Sequence, residues 1–141
     1  MQWLITVVLA AVCSAAFSSE DSSSEGHAPA QADAEAQALS NPIPLKMQSI
    51  RKGKQLYARY CTLCHGPDGK GDTQMREFLK TPPANFTDSQ WIYGDSDAQL
   101  FDVIRNGRVE RDMEAFSTKL SDERIWHVIN YLRFLNGQTP E

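Results

Sequence analysis

The sequence predicts a small all-α domain, and three observations carry that reading. Two segments, residues 46–60 and 121–135, place apolar side chains at helical spacing. The chain offers no credible strand, no internal repeat and no phosphate-binding loop. Directly after the first helical segment stands the pentapeptide Cys61-Thr62-Leu63-Cys64-His65.

That pentapeptide has the C-x-x-C-H pattern of covalent c-type haem attachment. Cysteines three apart on a helical turn point to the same side. Both sulfurs can then reach the two vinyl groups of one porphyrin. The next residue, His65, comes to lie under the ring, where an imidazole nitrogen can coordinate iron. A structural zinc site needs four ligands, usually two such pairs. The remaining candidates, Cys13, His27 and His127, show no paired spacing. A thioredoxin-like redox pair calls for a βαβ setting, which the pattern lacks. The expected architecture is three to five helices wrapped around one covalently attached haem, an iron-containing haem c.

The N-terminal part of the 141-residue chain bears on its location. Residues 1–17 read as a signal peptide: the apolar run 3–12 is shorter than the roughly 20 residues a bilayer requires. Small residues Ser14, Ala15 and Ala16 follow it, although no Lys or Arg precedes it. Lipid attachment at Cys13 is a rival, but Ala10-Ala11-Val12 matches poorly the small residue expected before a lipidated cysteine. The chain is therefore expected to be exported and periplasmic, with membrane association only through an N-terminal anchor. Residues 18–44, rich in Ser, Ala, Glu, Asp and Gln, cannot offset their conformational entropy by burial and read as a disordered acidic tether. Residues 45–141 form the domain.

All 14 Lys and Arg lie from Lys46 onward, whereas five of the 18 acids lie in the tether. The overall −4 thus belongs to the tether, and the domain is near neutral. Nucleic-acid binding, which calls for a concentrated basic face, is excluded.

Within the domain, Ile50, Gly53, Tyr57 and Tyr60 share one face of the first helix. Gly53 would cost about 1 kcal/mol against Ala in mid-helix, which predicts a close helix crossing there. Gly66, Gly69 and Gly71 then end the helical run. Asp72-Thr73 is expected to cap a short helix burying Met75, Phe78 and Leu79. Residues 81–86 contain Pro82-Pro83 and must be extended. A metal-bound histidine usually donates its other N–H to a carbonyl, so the Pro82 or Pro83 carbonyl is expected to meet His65 Nδ1. Trp91 and Tyr93 are expected in the pocket wall, where a propionate is one hydrogen-bond partner open to Trp91. Ser96-Asp97-Ala98-Gln99 is a capping-box pattern opening a helix with Leu100, Val103 and Ile104 on its apolar face, stopped by Asn106-Gly107. A loop carrying Met113 and Phe116 follows. Ser121 caps the last helix, whose stripe is Ile125, Val128, Ile129, Leu132 and Leu135. His127 lies off that stripe and is expected at the surface.

These residues together resemble the class I monohaem cytochrome c family, over about residues 46–137. The resemblance rests on residues 61–65, on Gly53 with Tyr57, and on the Pro-Pro-Ala-Asn-Phe loop. Asn106-Gly107 leading to Met113 and the run 125–132 complete it. It implies that the first and last helices cross beside the haem, Gly53 at the contact and Tyr131 near it. It also implies a loop methionine as sixth iron ligand, here Met113, with Met75 and Met47 as the alternatives. The family's methionine is usually followed by proline, whereas Glu114 follows here. The cofactor-binding residues are then Cys61, Cys64, His65 and Met113, the last two binding the metal.

The implied function is one-electron transfer between redox proteins, with no enzyme activity of the chain's own. Two other readings are a haem subunit docked permanently in a larger redox enzyme or respiratory complex, and a haem-based ligand sensor. Arg105, Arg108 and Arg111 are candidates for a docking rim, although they alternate with Glu110, Asp112 and Glu114 as an ordinary solvated loop would.

Overall fold

The computed structural model describes residues 39–141. The residues read as a signal peptide and most of those read as a tether, with Cys13 and His27, lie outside that range. The described residues form four α-helices: α1 (Met47–Tyr60), α2 (Thr62–His65), α3 (Asp97–Asn106) and α4 (Asp122–Leu135). Short 3-10 turns cover Gln74–Phe78 and Val109–Arg111. Among the described residues, strand-like pairing is limited to one bridge between Arg108 and Met113. The all-α expectation holds.

α1 and α4 form the principal contact, and α3 packs on α4 from another side. Ile50, Gly53 and Tyr57 are buried, as their spacing predicts. A Cβ on Gly53 would lie 2.0 Å from the His127 carbonyl oxygen and 2.9 Å from Tyr131 Cβ. The glycine therefore permits the crossing, and any side chain would part the helices. Tyr57, 1 % exposed, donates to the Gly66 carbonyl at 2.8 Å and meets Tyr131 edge-on at 5.2 Å. It ties the crossing to the turn that follows residues 61–65.

α4 is buried over a wider arc than its predicted stripe. Besides Ile125, Val128, Ile129 and Leu132, it buries Trp126, His127, Asn130 and Tyr131. Trp126 stacks on Phe101 of α3 at 4.2 Å. His127, expected at the surface, is 6 % exposed because α1 covers it: its Nδ1 lies 2.8 Å from Ser49 Oγ. A helix packed on several sides has no free polar face, so the stripe alone could not place this residue.

The third cover of α4 comes from residues assigned to the tether. Asn41 donates its Nδ2 to the Trp126 carbonyl (3.1 Å) and Asn130 Oδ1 (3.0 Å), and its backbone N–H to Asp97 Oδ2 (3.0 Å). Ile43 packs against the core, and Asn130 donates to its carbonyl at 3.0 Å. Residues 41–44 thus belong to the folded domain, ahead of the expected start at 45. Composition hid them, because the polar Asn41 is used for hydrogen bonds and the two prolines suit an extended strap.

The capping box of α3 is present, Ser96 Oγ accepting from the Gln99 N–H at 3.2 Å while the Gln99 side chain accepts from the Ser96 N–H at 3.1 Å. Leu100 and Ile104 are buried with Ala98, whereas Val103 is half-buried. The expected helix after Thr73 is a single 3-10 turn without a side-chain cap, and Phe78 is 78 % exposed rather than buried. Leu79 leaves the turn extended (ψ 144°), so Phe78 has no helical neighbour to pack against.

Candidate functional site

The attachment segment leaves α1 and makes the single turn α2. Its backbone is anchored on three sides. Thr73 Oγ1 donates to the Cys64 carbonyl at 3.1 Å, the Gly71 N–H donates to the His65 carbonyl at 2.8 Å, and Tyr57 holds Gly66. Cys61 and Cys64 are free thiols beside a cavity of about 290 Å³. His65 and Met113 line the same cavity, together with Tyr60, Phe86, Trp91 and Phe116.

Burial, then the neighbouring Cys64, pushes the Cys61 thiol up to about 12. Burial and, after it, the Glu114 carboxylate raise Cys64 as well. Both shifts favour the neutral thiol over the reactive thiolate. Among the described residues no group of three His, Cys, Asp or Glu is placed to hold a metal ion.

His65 Nδ1 lies 3.2 Å from the Ala84 carbonyl oxygen. A carbonyl only accepts, so Nδ1 carries the proton and Nε2 keeps its lone pair. Burial holds the imidazole below its ordinary pKa, and the Ala84 hydrogen bond opposes this. The acceptor was expected at Pro82 or Pro83 and sits one or two residues later. The Pro83 carbonyl faces the Gly71 backbone instead, 2.6 Å from where a Cβ of Gly71 would stand. Phe86 stacks on the His65 ring at 4.6 Å and fixes its plane.

Met113 is the methionine that lines the cavity. Met75 does not line it, and Met47 is 45 % exposed on α1. The loop bearing Met113 closes through Gly107 (φ 72°), where a Cβ would lie 2.8 Å from the Met113 carbonyl oxygen. Trp91 and Tyr93 line the cavity as predicted. Trp91 Nε1 donates to the Asp88 carbonyl at 2.9 Å, so its N–H is already engaged within the chain.

Two of the three arginines are paired with acids, and Arg108 and Arg111 line the cavity. Arg105 pairs with Asp122 at 3.1 Å, and Arg108 with Asp102 at 2.5 Å. Arg108 and Arg111 both cover the Tyr93 ring, at 4.9 and 5.3 Å. Sequence reasoning missed these partners, and also Ala84 and the contact of Asp112 with Lys80. A carbonyl acceptor leaves no trace in residue type, and a pair far apart in sequence has no spacing to read.

The site suits a c-type haem on its own geometry: two adjacent neutral thiols, an imidazole with a free Nε2, a thioether, and a mostly aromatic and apolar lining. Comparison with known proteins agrees. Residues 48–132 match the family described as cytochrome C oxidase, cbb3-type, subunit III. The FixP subunit of a cbb3-type cytochrome c oxidase from Azorhizobium caulinodans is 32% identical over 71% of this chain and 32% of its own length. The CcoP subunit from Azospirillum brasilense is 34% identical over 63% of this chain and 29% of its own. The chain thus spans about a third of the length of the curated relatives it matches. Among solved structures, a chain of the Kuenenia stuttgartiensis reducing HAO-like protein complex aligns with TM-score 0.60 and 25% identity, over 69% of this chain and 49% of that one. Cytochrome cL from Methylophaga aminisulfidivorans shares the fold, with TM-score 0.53 and 23% identity over 67% of this chain and 55% of its own. The chain is a c-type cytochrome domain and belongs to the family of cbb3-type cytochrome c oxidase subunit III.

Proposed function

We propose that this chain is a single-haem electron-transfer subunit that docks with a respiratory oxidase of the cbb3 type on the periplasmic side. The observation that carries the reading is the convergence of Cys61, Cys64, His65 and Met113 on one cavity inside the family-matched residues. The relatives named as oxidase subunits support a docked haem subunit better than a freely diffusing carrier. Export through residues 1–17 is part of the proposal.

A bound haem c supplies reversible one-electron iron chemistry. The chain's residues hold and tune it. Cys61 and Cys64 fix its position through thioethers, so it cannot dissociate. His65 presents Nε2, its orientation set by Nδ1–H on the Ala84 carbonyl and by Phe86. Met113, on the loop across the cavity, would supply a thioether to the iron, and a neutral thioether would favour the reduced state. Held by His65 and Met113 together, the iron would be closed to substrate, and the chain would conduct electrons rather than catalyse. Tyr60, Phe86, Trp91 and Phe116 exclude water.

The test is purification of the tagged chain from gently extracted membranes. Oxidase subunits should accompany it in fixed proportion and carry its electrons to oxygen. Recovery of the chain alone, still redox-active, would favour the free carrier.

A further inference from the structure

We propose that Asp112 is a positioning residue that holds Met113 toward the cavity by tying its loop to the segment at Lys80. The proposal rests on reading Met113 as the sixth ligand. Asp112 directly precedes Met113 and is the non-glycine residue with a left-handed backbone among the described residues (φ 60°, ψ 19°). Its carboxylate reaches across 32 positions of sequence: Oδ2 accepts from the Lys80 N–H at 2.7 Å. Oδ1 faces Lys80 Nζ at 3.2 Å. On the other side of the loop, the Arg108 N–H donates to the Met113 carbonyl at 2.8 Å and the Met113 N–H to the Arg108 carbonyl at 3.0 Å. The backbone bearing Met113 is thus held from both sides. Leu79, next to Lys80, lines the same cavity as Met113, so the tie is made at the cavity wall.

The two halves of the Asp112–Lys80 contact are unequal. The Lys80 side chain is 66 % exposed, so its ion pair is screened and loses side-chain entropy when formed. The Lys80 N–H follows the extended Leu79 and lies two residues before Pro82-Pro83, in a stretch with little freedom left to lose. The acceptor oxygen of Asp112, more than its charge, does the holding. Asp and Asn enter the left-handed region more readily than other side chains. Residue 112 can therefore make the turn and send an acceptor across it.

The test uses the haem-loaded full chain and two readouts. These are the sulfur-to-iron charge-transfer band of the oxidised protein and the apparent affinity for added imidazole, which must displace Met113. Asp112→Gly keeps the turn free of strain and removes the acceptor. Asp112→Asn keeps the turn and one acceptor oxygen but deletes the charge. Lys80→Ala deletes the ion pair and leaves the N–H. Imidazole binding scales with the population in which Met113 is off. Asp112→Gly should bind imidazole about three- to tenfold more tightly with a weakened band, as loss of one modest hydrogen bond implies. Asp112→Asn and Lys80→Ala should stay within about twofold of wild type. An unchanged Asp112→Gly, or an Asp112→Asn as loose as Asp112→Gly, overturns the proposal. Met113→Ala is measured beside them. If it moves neither readout, the ligand reading falls and the proposal with it; if it moves both and Asp112→Gly neither, only the positioning role falls.

Discussion

Gly53 and His127 meet backbone to backbone at the crossing of α1 and α4, with only 2.0 Å between the His127 carbonyl oxygen and the point where a Cβ of Gly53 would stand. The obstacle is backbone, so no rotamer change relieves it. Gly53→Ala should therefore destabilise the domain by about 1–3 kcal/mol, despite the roughly 1 kcal/mol that Ala gains in helix propensity. Denaturant unfolding checks this, and an unchanged or raised midpoint would mean that the helices can part without loss.

Asn41→Ala should cost about 1–3 kcal/mol, because it strips hydrogen bonds from the Trp126 carbonyl and from Asn130 Oδ1. The haem spectrum should not change, since Asn41 does not line the cavity. A wild-type thermal midpoint would show that the strap is dispensable.

His127 links pH to stability. Burial, then the Lys52 ammonium, holds its pKa below the ordinary histidine range, and Glu123 only partly opposes them. Its folded pKa is therefore below its unfolded value near 6.5. Between the two values the unfolded chain binds more protons, so stability falls as pH drops below about 6.5 and levels off beneath the folded pKa. Thermal midpoints of wild type and His127→Gln between pH 7.5 and 5 test the assignment, using these values as about the window for histidine. The acid-side fall should shrink in the variant; equal slopes would assign it elsewhere.

Cys61→Ser and Cys64→Ser should each leave haem attached through the remaining sulfur, and the double variant should lose haem on a denaturing gel. Haem staining reads the result. Wild-type protein that releases its haem into acid acetone would contradict covalent attachment.

The helices were legible because their signals are local: Ser96 and Gln99 cap α3, Ser121 caps α4, and glycines follow α2 and α3. Cys61, Cys64 and His65 were legible because their chemistry demands fixed spacing. What sequence misplaced depends on the partner rather than the residue. His127 is buried by Ser49 on another helix, Asn41 by α4, and Phe78 is exposed because its turn ends too soon. The loop at Met113 is a further case. Glu114 stands where a stiffening proline was expected, and the restraint visible in the structure comes from Arg108, five residues before Met113, and from Lys80, distant in sequence.

As proposed, His65 and Met113 would hold the iron between them, closing it to substrate and suiting it to carry electrons. Optical potentiometric titration of the purified wild type and Met113→Ala, with carbon monoxide added to each reduced sample, tests this ligation. Wild type should ignore carbon monoxide and show the sulfur-to-iron band when oxidised. Met113→Ala should bind carbon monoxide, lose that band and become harder to reduce. A wild type that binds carbon monoxide readily, or a Met113→Ala that keeps the parent's spectrum and potential, would contradict the account.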